Sequence, residues 1–345
     1  PLMSAYVGRL ADVHGDRETI LGIWRGSLGR EAHLASKYEW FYLGCPWGEP
    51  MVQLLRHEPT NAWVGVSSAG PRRMVWNGRE LRAGVLVDFA VTQEHRSLGP
   101  ALTLQKALLA AGKQRFELLY GFPNPKAVPV FKRVGCKQLG ELVRYACVLR
   151  HRTYVERELQ ERNLTPLLAR PASAVLDLVS RVRALPYGRW KARWSSVVDP
   201  RMDTLWASSD HGRGPISVRD TTALRWRFDR RAVPETQFLL LSDRHDDLHA
   251  WFACQSETNG TLQVCDYWSR DAVRGIDRSY VEGLLRAARH RRHTNVSFAF
   301  CGPKERMAGF LEAGFVERSR RPIFGVSTGE PSVEDLHLTA ADEDE

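Results

Sequence analysis

With 345 residues, 43% of them hydrophobic and 26% charged, the chain is long enough for two domains with real cores and has the balance of a soluble globular protein. No apolar run reaches membrane-spanning length and no secretory signal pattern is present, so a cytoplasmic location is the default expectation. The net charge of +9, mostly from Arg, favours anionic partners without choosing among phosphorylated ligands, anionic lipid and RNA.

The first fifty residues offer a strand over 5–9, then Asp16 placed to cap a helix that carries Ile20, Leu21, Ile23 and Trp24. A second helix is expected over 31–43, ending before Cys45-Pro46. Strands follow over 51–56, 62–67, 73–76 and 81–91, separated by Gly, Asn and Pro turns. Two further strands, 136–139 and 142–149, close this part of the chain. The six cysteines are scattered, form no CxxC pair and lie mostly in apolar surroundings, as small buried hydrophobes of a reducing compartment do. His290-Arg291-Arg292-His293 and the His245 to His249 segment lack a convincing set of further ligands, so no metal is expected.

The stretch from Val85 to Leu109 organises the rest. Residues 84–91, Gly-Val-Leu-Val-Asp-Phe-Ala-Val, read as a buried strand. A polar loop from Thr92 to Leu98 leads into Gly99-Pro100-Ala101, which opens a helix with Leu102, Leu104, Leu108 and Leu109 as its apolar positions. The first N–H groups of a helix lack intrahelical partners and sit at the positive end of its dipole, so backbone alone can hold a phosphate there. Gly99 lets the backbone come close, Ala101 adds little bulk, and Pro100 suits the first turn while removing one donor. Arg96 adds a charged fork, and the junction reads as a pyrophosphate cradle.

Arg96-x-x-Gly99-x-Ala101 directly after a hydrophobic strand resembles the acyl-CoA pyrophosphate loop of the GNAT N-acyltransferase superfamily. A strand over 116–120 and then Asn124-x-x-Ala127-x-x-x-Phe131-x-x-x-Gly135-Cys136 resemble the family's second motif, at the right distance and in the right order. The resemblance implies acetyl-CoA or another acyl-CoA as co-substrate, held by Arg96, Ser97, Leu98, Gly99, Pro100 and Ala101. Phe89, Ala90 and Val91 would flank the pantetheine arm and the thioester, and Asn124, Ala127 and Phe131 would complete the site. Read without the family, Gly-Pro is a helix start signal and Ala127, Phe131 and Val134 are a helix-spaced core stripe.

Residues 151–196 change character. A charged, helix-prone segment runs from 151 to 162, Pro166 and Pro171 interrupt, and 172–185 is amphipathic, with Val175, Leu176, Leu178, Val179 and Val182 on one side among many arginines. Two readings stand: an interfacial helix touching anionic membrane through 166–196, or an interdomain helix packed on both domains, which the narrow stripe favours.

The remainder mirrors the first part. Leu224-Arg225-Trp226-Arg227-Phe228, Pro234 and a strand over 237–241 match Tyr38-Glu39-Trp40-Phe41-Tyr42, Pro46 and 51–55. Phe310-x-x-x-Gly314-Phe315 matches Phe131-x-x-x-Gly135-Cys136, at offsets of 186 residues from Trp40 to Trp226 and 179 from Gly135 to Gly314. The second copy lacks the Arg-x-x-Gly-x-Gly/Ala loop and has Pro303 and Arg306 where the first has Asn124 and Ala127. The expected fold is α/β (α+β), with two tandem GNAT-like domains, each a mixed, mostly antiparallel sheet flanked by helices. Residues 1–150 form the acyl-CoA-binding domain, 151–196 a helical basic linker, 197–329 a degenerate GNAT-like domain and 330–345 a mobile acidic tail.

In the chemistry this implies, an amine attacks the thioester directly, a backbone N–H near Phe89 to Val91 stabilises the oxyanion, and a base takes the ammonium proton. Asp88 is the candidate, because a carboxylate amid apolar residues is costly unless it is paired or used. Many family members carry a Tyr where this chain has Phe131, so no thiolate donor is evident; Tyr120 and Tyr145 carry no spacing argument. The expected function is acyl-CoA-dependent N-acylation of an amine, with an amino sugar or envelope precursor of bacterial type as first guess and no nucleic-acid partner. The alternatives are an aminoacyl-tRNA-fed aminoacyltransferase of the peptidoglycan-bridge type, and a non-catalytic acyl-CoA sensor or scaffold.

Overall fold

A computed structural model describes residues 5–29, 31–152, 155–156, 159, 169–229, 235–328 and 335–343. Two compact units divide the chain: Pro1–Leu142, His211–Val218 and Arg321–Glu345 form the first, and Val143–Asp210 and Arg219–Arg320 the second. The units therefore do not follow chain order as the expected boundaries at 150, 196 and 329 do.

In the first unit, β1 (Tyr6–Leu10), β2 (Met51–His57), β3 (Ala62–Trp76) and β4 (Arg79–Val91) form an antiparallel ladder. The β3–β4 hairpin turns at Asn77 and Gly78, both with positive φ (+48° and +73°), the two-residue turn whose twist matches paired strands. Strand β3 is continuous where the sequence suggested two pieces, 62–67 and 73–76. Pro71 falls between the stretch that β2 pairs, ending at Ala69, and the stretch that β8 (Ile216–Ser217) pairs, starting at Met74. On the far flank of β4, β5 (Leu118–Gly121) runs parallel to it, and Phe324 to Ser327 pair antiparallel with β5.

Helix α1 (Arg17–Trp24) buries Ile20, Leu21, Ile23 and Trp24. Residues 31–43 are not one helix but a 3₁₀ turn, a short α2 (Leu34–Lys37) and a π-helical turn (Tyr38–Leu43) that buries Tyr38, Phe41 and Tyr42. Phe41 lies so close to β3 that a Cβ on Gly70 would stand 2.2 Å from its ring, which explains the glycine there. Helix α3 (Leu98–Arg115) packs Leu104 with Leu55, Val64 and Val91, and Leu108 and Leu109 with Leu86, Phe116 and Leu119.

Asp16 stands at the start of α1 without capping it through its side chain; its carboxylate instead accepts both ends of the Arg9 guanidinium, at 2.8 and 2.6 Å, and the Asp12 N–H at 2.9 Å. The Arg9 hydrogen bonds hold its pKa below the usual carboxylate value. A depressed carboxylate stabilises the fold above its unfolded pKa and loses that contribution as pH falls through the folded one. Asp16→Asn is expected to lower stability by about 1 kcal/mol at neutral pH, discounted because Arg9 is partly exposed, with the difference closing in urea titrations run below about pH 4.

In the second unit, β7 (Lys191–Ser195), β9 (Thr236–Ser242), β10 (Leu248–Ser256) and β11 (Thr261–Ser269) are antiparallel neighbours in that order, β12 (Asn295–Cys301) is parallel to β11, and residues 143–148 pair antiparallel with β12. Among its described residues the helices include α5 (Ala169–Ala184), α6 (Arg201–Ser208), α7 (Thr221–Phe228), α8 (Arg278–His290) and α9 (Ala308–Glu312). The fold class is thus the expected one, a mixed and mostly antiparallel sheet flanked by helices. Apart from β8, which belongs to the first unit, the order of elements from β7 to α9 is that from β1 to α4 (Val128–Arg133). The Phe-x-x-x-Gly match has a common cause: Gly135 (φ +92°) and Gly314 (φ +99°) each end a helix in the left-handed conformation, and the next N–H, of Cys136 or Phe315, donates back to Phe131 O or Phe310 O at 3.0 Å.

Other expectations are corrected. Residues 191–195 are an edge strand rather than helical linker, and residues 137–148 form one strand, β6, rather than two. Of the tail expected to be mobile, 335–343 is placed: His337, Leu338 and Asp342 are buried, and the Tyr120 hydroxyl donates to Asp342 O at 3.2 Å. Pro166, Pro234 and most of 151–162 lie outside the described residues.

Candidate active site

The ladder between β3 and β4 runs in register to Ser68↔Val87 and resumes at Val66↔Ala90, so Asp88 and Phe89 stand opposite Ser67 alone. This is a β-bulge, and Asp88 takes the left-handed φ of +53° that Asp tolerates better than most residues. On its other flank β4 pairs with β5 only from Ala83 to Leu86; beyond that no strand meets it among the described residues. Residues 87–91, which include the bulge, therefore present a backbone edge, with Ala90 and Val91 buried and Phe89 half-buried.

The candidate cradle opens nearby in the chain. Ser97 is extended at the start of α3 and makes no side-chain bond to the first turn. The N–H groups of Leu98 and Gly99 lie beyond reach of the helix ladder, Pro100 has none, and Ala101 N is 3.5 Å from Ser97 O. Nothing lies within 4 Å of where a Cβ on Gly99 would stand. Arg96 Nε donates to Val91 O at 3.3 Å, tying the loop to the end of β4, while the residue remains exposed. Pro100 and Ala101 are buried and form the floor.

The second motif is placed differently. Asn124 is exposed, and its Oδ1 accepts the N–H groups of Lys126 and Ala127 at 3.0 Å, a local cap for the turn into α4. Ala127 packs half-buried on the core, and Phe131 is inside it with Leu86, Leu119 and Phe324. Phe131 thus meets the description of a core residue.

Asp88 gathers partners that the sequence did not signal. Lys37 Nζ lies 2.6 Å from Oδ1, and the pair is largely buried, the side chains 20% and 3% exposed. The Tyr42 hydroxyl is 2.7 Å from both Asp88 Oδ2 and Ser68 Oγ. Its single proton serves the carboxylate and Ser68 supplies the other hydrogen bond. Lys37 and Tyr42 are 51 and 46 residues from Asp88 in sequence, so only the tertiary fold brings them together. The result is a carboxylate beside the bulge, already in contact with one ammonium group.

The second unit contains the matching geometry in closed form. Cys265 is the extra residue of a bulge between Ala253↔Asp266 and Cys254↔Val264, and β11 leaves β12 after Val264. There the helix start is filled by the chain itself. Asp277 caps α8 by accepting Ser279 N–H at 2.8 Å, and Trp190 Nε1 and Arg189 donate to Ser279 Oγ at 2.8 and 3.1 Å. Trp190 packs against Tyr280 with the rings tilted by 31°, and buried Arg306 donates to Val273 O at 3.2 Å within the loop. A carboxylate holds the place an anion would take.

No protein-family model and no curated protein sequence matches the chain. Solved structures do. A probable N-acyltransferase of unknown function from Enterococcus faecalis V583 superposes with a TM-score of 0.65 at 11% identity, over 94% of this chain and 73% of its own. A GCN5-related N-acetyltransferase from Anabaena variabilis ATCC 29413 gives 0.62 at 12%, over 94% and 73%. Saccharomyces cerevisiae N-myristoyltransferase, solved with myristoyl-CoA, gives 0.55 at 12%, over 96% and 85%. The chain shares the fold of these structures.

Proposed function

We propose that the first unit binds an acyl-CoA and transfers its acyl group to an amine, and that the second unit is a GNAT-like copy that has lost its ligand site. The observation that carries this reading is the start of α3, open and without a side-chain cap, next in sequence to an edge of β4 that no strand among the described residues pairs, set against the self-filled start of α8. The diphosphate is held by the N–H groups of Leu98 and Gly99 and by Arg96, while residues 87–91 pair with the pantetheine arm. A backbone N–H at the bulge stabilises the tetrahedral oxyanion, and Asp88 takes the proton that the acceptor ammonium must lose. The structural neighbours described as N-acetyltransferases and an N-myristoyltransferase support this class of reaction, and an amino sugar remains the first acceptor to try.

The test is calorimetric titration with CoA, acetyl-CoA and longer acyl-CoAs, followed by free-thiol release in the presence of an amine panel. The expected result is micromolar or tighter binding of at least one acyl-CoA and amine-dependent thiol release; no binding of any CoA species overturns the reading. A second reading, an acyl-CoA-binding protein without turnover, is favoured by Phe131, which sits in the apolar core and has no hydroxyl to protonate a departing thiolate. Binding without thiol release on any amine would establish it.

A further inference from the structure

Helix α5 is amphipathic with its faces reversed. At about 100° per residue, Val175, Leu178, Val179 and Val182 share one face of it. That face is in solvent: Val175 is 59% exposed, Leu178 61% and Val182 54%, and Leu185 just beyond the helix is 74% exposed. The polar side is the one turned inward. Ser173 is buried, and Asp177 accepts the His151 N–H at 3.1 Å and lies 2.7 Å from its ring Nδ1. An interdomain helix packed through its apolar stripe, the reading the sequence favoured, is not what the chain forms. A continuous exposed stripe of this kind marks a surface meant to be covered.

We infer that α5 is a docking surface for an anionic lipid bilayer. The charge around the stripe points to that occupant. The helix and the residues just after it, 169–190, carry Arg170, Arg181, Arg183 and Arg189 against a single acidic residue, Asp177, which is already engaged by His151; Arg189 itself lies 3.5 Å from Asp277, so Arg170, Arg181 and Arg183 are the positions the sequence leaves for a bilayer. By helical position, 181 and 183 fall on either side of the stripe, the arrangement of a helix that lies in the plane of a membrane with its basic positions at headgroup level. A second copy of the chain is a poorer match, because a two-fold contact through the stripe would bring the same basic positions of both copies together. The helix is too polar overall to insert, and among the described residues no helix is long and apolar enough to cross a membrane. The surface acts without any acyl-CoA, so its test is independent of the reading above.

The experiment is flotation of the full chain with phosphatidylcholine vesicles, with and without phosphatidylglycerol, across a salt series. The wild type is expected to float with the anionic vesicles and progressively less as salt rises. Leu178→Glu/Val182→Glu should reduce binding about tenfold or more, as should Arg181→Glu/Arg183→Glu. The first pair alters exposed positions only, so the circular dichroism spectrum and melting temperature should not change. Failure of the wild type to bind anionic vesicles, or undiminished binding by Leu178→Glu/Val182→Glu, would overturn the inference. A dimer in light scattering that Leu178→Glu/Val182→Glu converts to monomer, with no vesicle binding, would assign the stripe to a second copy instead.

Discussion

Gly99→Glu is expected to weaken acyl-CoA binding by about 100-fold or more while leaving the fold intact or slightly stabilised. The two effects share one cause. A Cβ at position 99 meets nothing within 4 Å, so the longer side chain creates no clash. Its carboxylate lies in the first turn of α3, where the N–H groups of Leu98 and Gly99 and the positive end of the helix favour a negative charge, worth about 0.3–1 kcal/mol. The same groups are the ones proposed to hold the diphosphate, so the introduced carboxylate competes for them and repels the ligand. Asp277 already does this for α8, where it accepts Ser279 N–H at 2.8 Å. Titration calorimetry reads the affinity and a thermal melt the stability. Gly99→Ala, with no charge, should bind within a few-fold of wild type; equal binding by Gly99→Glu would remove the diphosphate from this helix.

The parts of the fold set by local pattern are legible in the sequence, and those set by pairing partners are not. Residues 84–91 and the helix behind them stand out because apolar periodicity and the Gly-Pro start act over a few residues. The continuity of β3 through Pro71 depends on where β2 and β8 stop and start along its flank, which no local signal carries. The match between Phe131-x-x-x-Gly135 and Phe310-x-x-x-Gly314 is legible because each glycine supplies a left-handed helix end. For the site, the cradle residues are contiguous and fall together, whereas Lys37 of α2 and Tyr42 of the π-helical turn reach Asp88, and Ser68 reaches Tyr42, only through the tertiary fold and the bulge. The sequence does signal that Asp88 needs a partner, because a buried carboxylate cannot stand alone; it does not say which cation supplies it. The reversed faces of α5 are equally out of reach, since an amphipathic pattern states that a helix has two sides and not which one meets solvent.

Asp88→Asn is expected to lower turnover by about 100-fold or more while acyl-CoA affinity stays within a few-fold of wild type. Asn is nearly isosteric, tolerates φ near +53° and can still accept from Tyr42, so the bulge and the edge of β4 persist. What it cannot do is take a proton from an ammonium. Asp88→Gly tests the same point with the backbone relaxed: glycine removes the left-handed penalty of roughly 1 kcal/mol, partly offsetting the lost bonds to Lys37 and Tyr42. Asp88→Ala keeps the penalty and loses the bonds, so it should be the less stable of the two by about that amount in urea titrations. If turnover falls alike in all three while their stabilities separate, the loss follows the carboxylate and not the strand. If Asp88→Asn turns over like wild type, the carboxylate belongs to the Lys37 ion pair alone, and the base must be sought among the other groups that face the bulge.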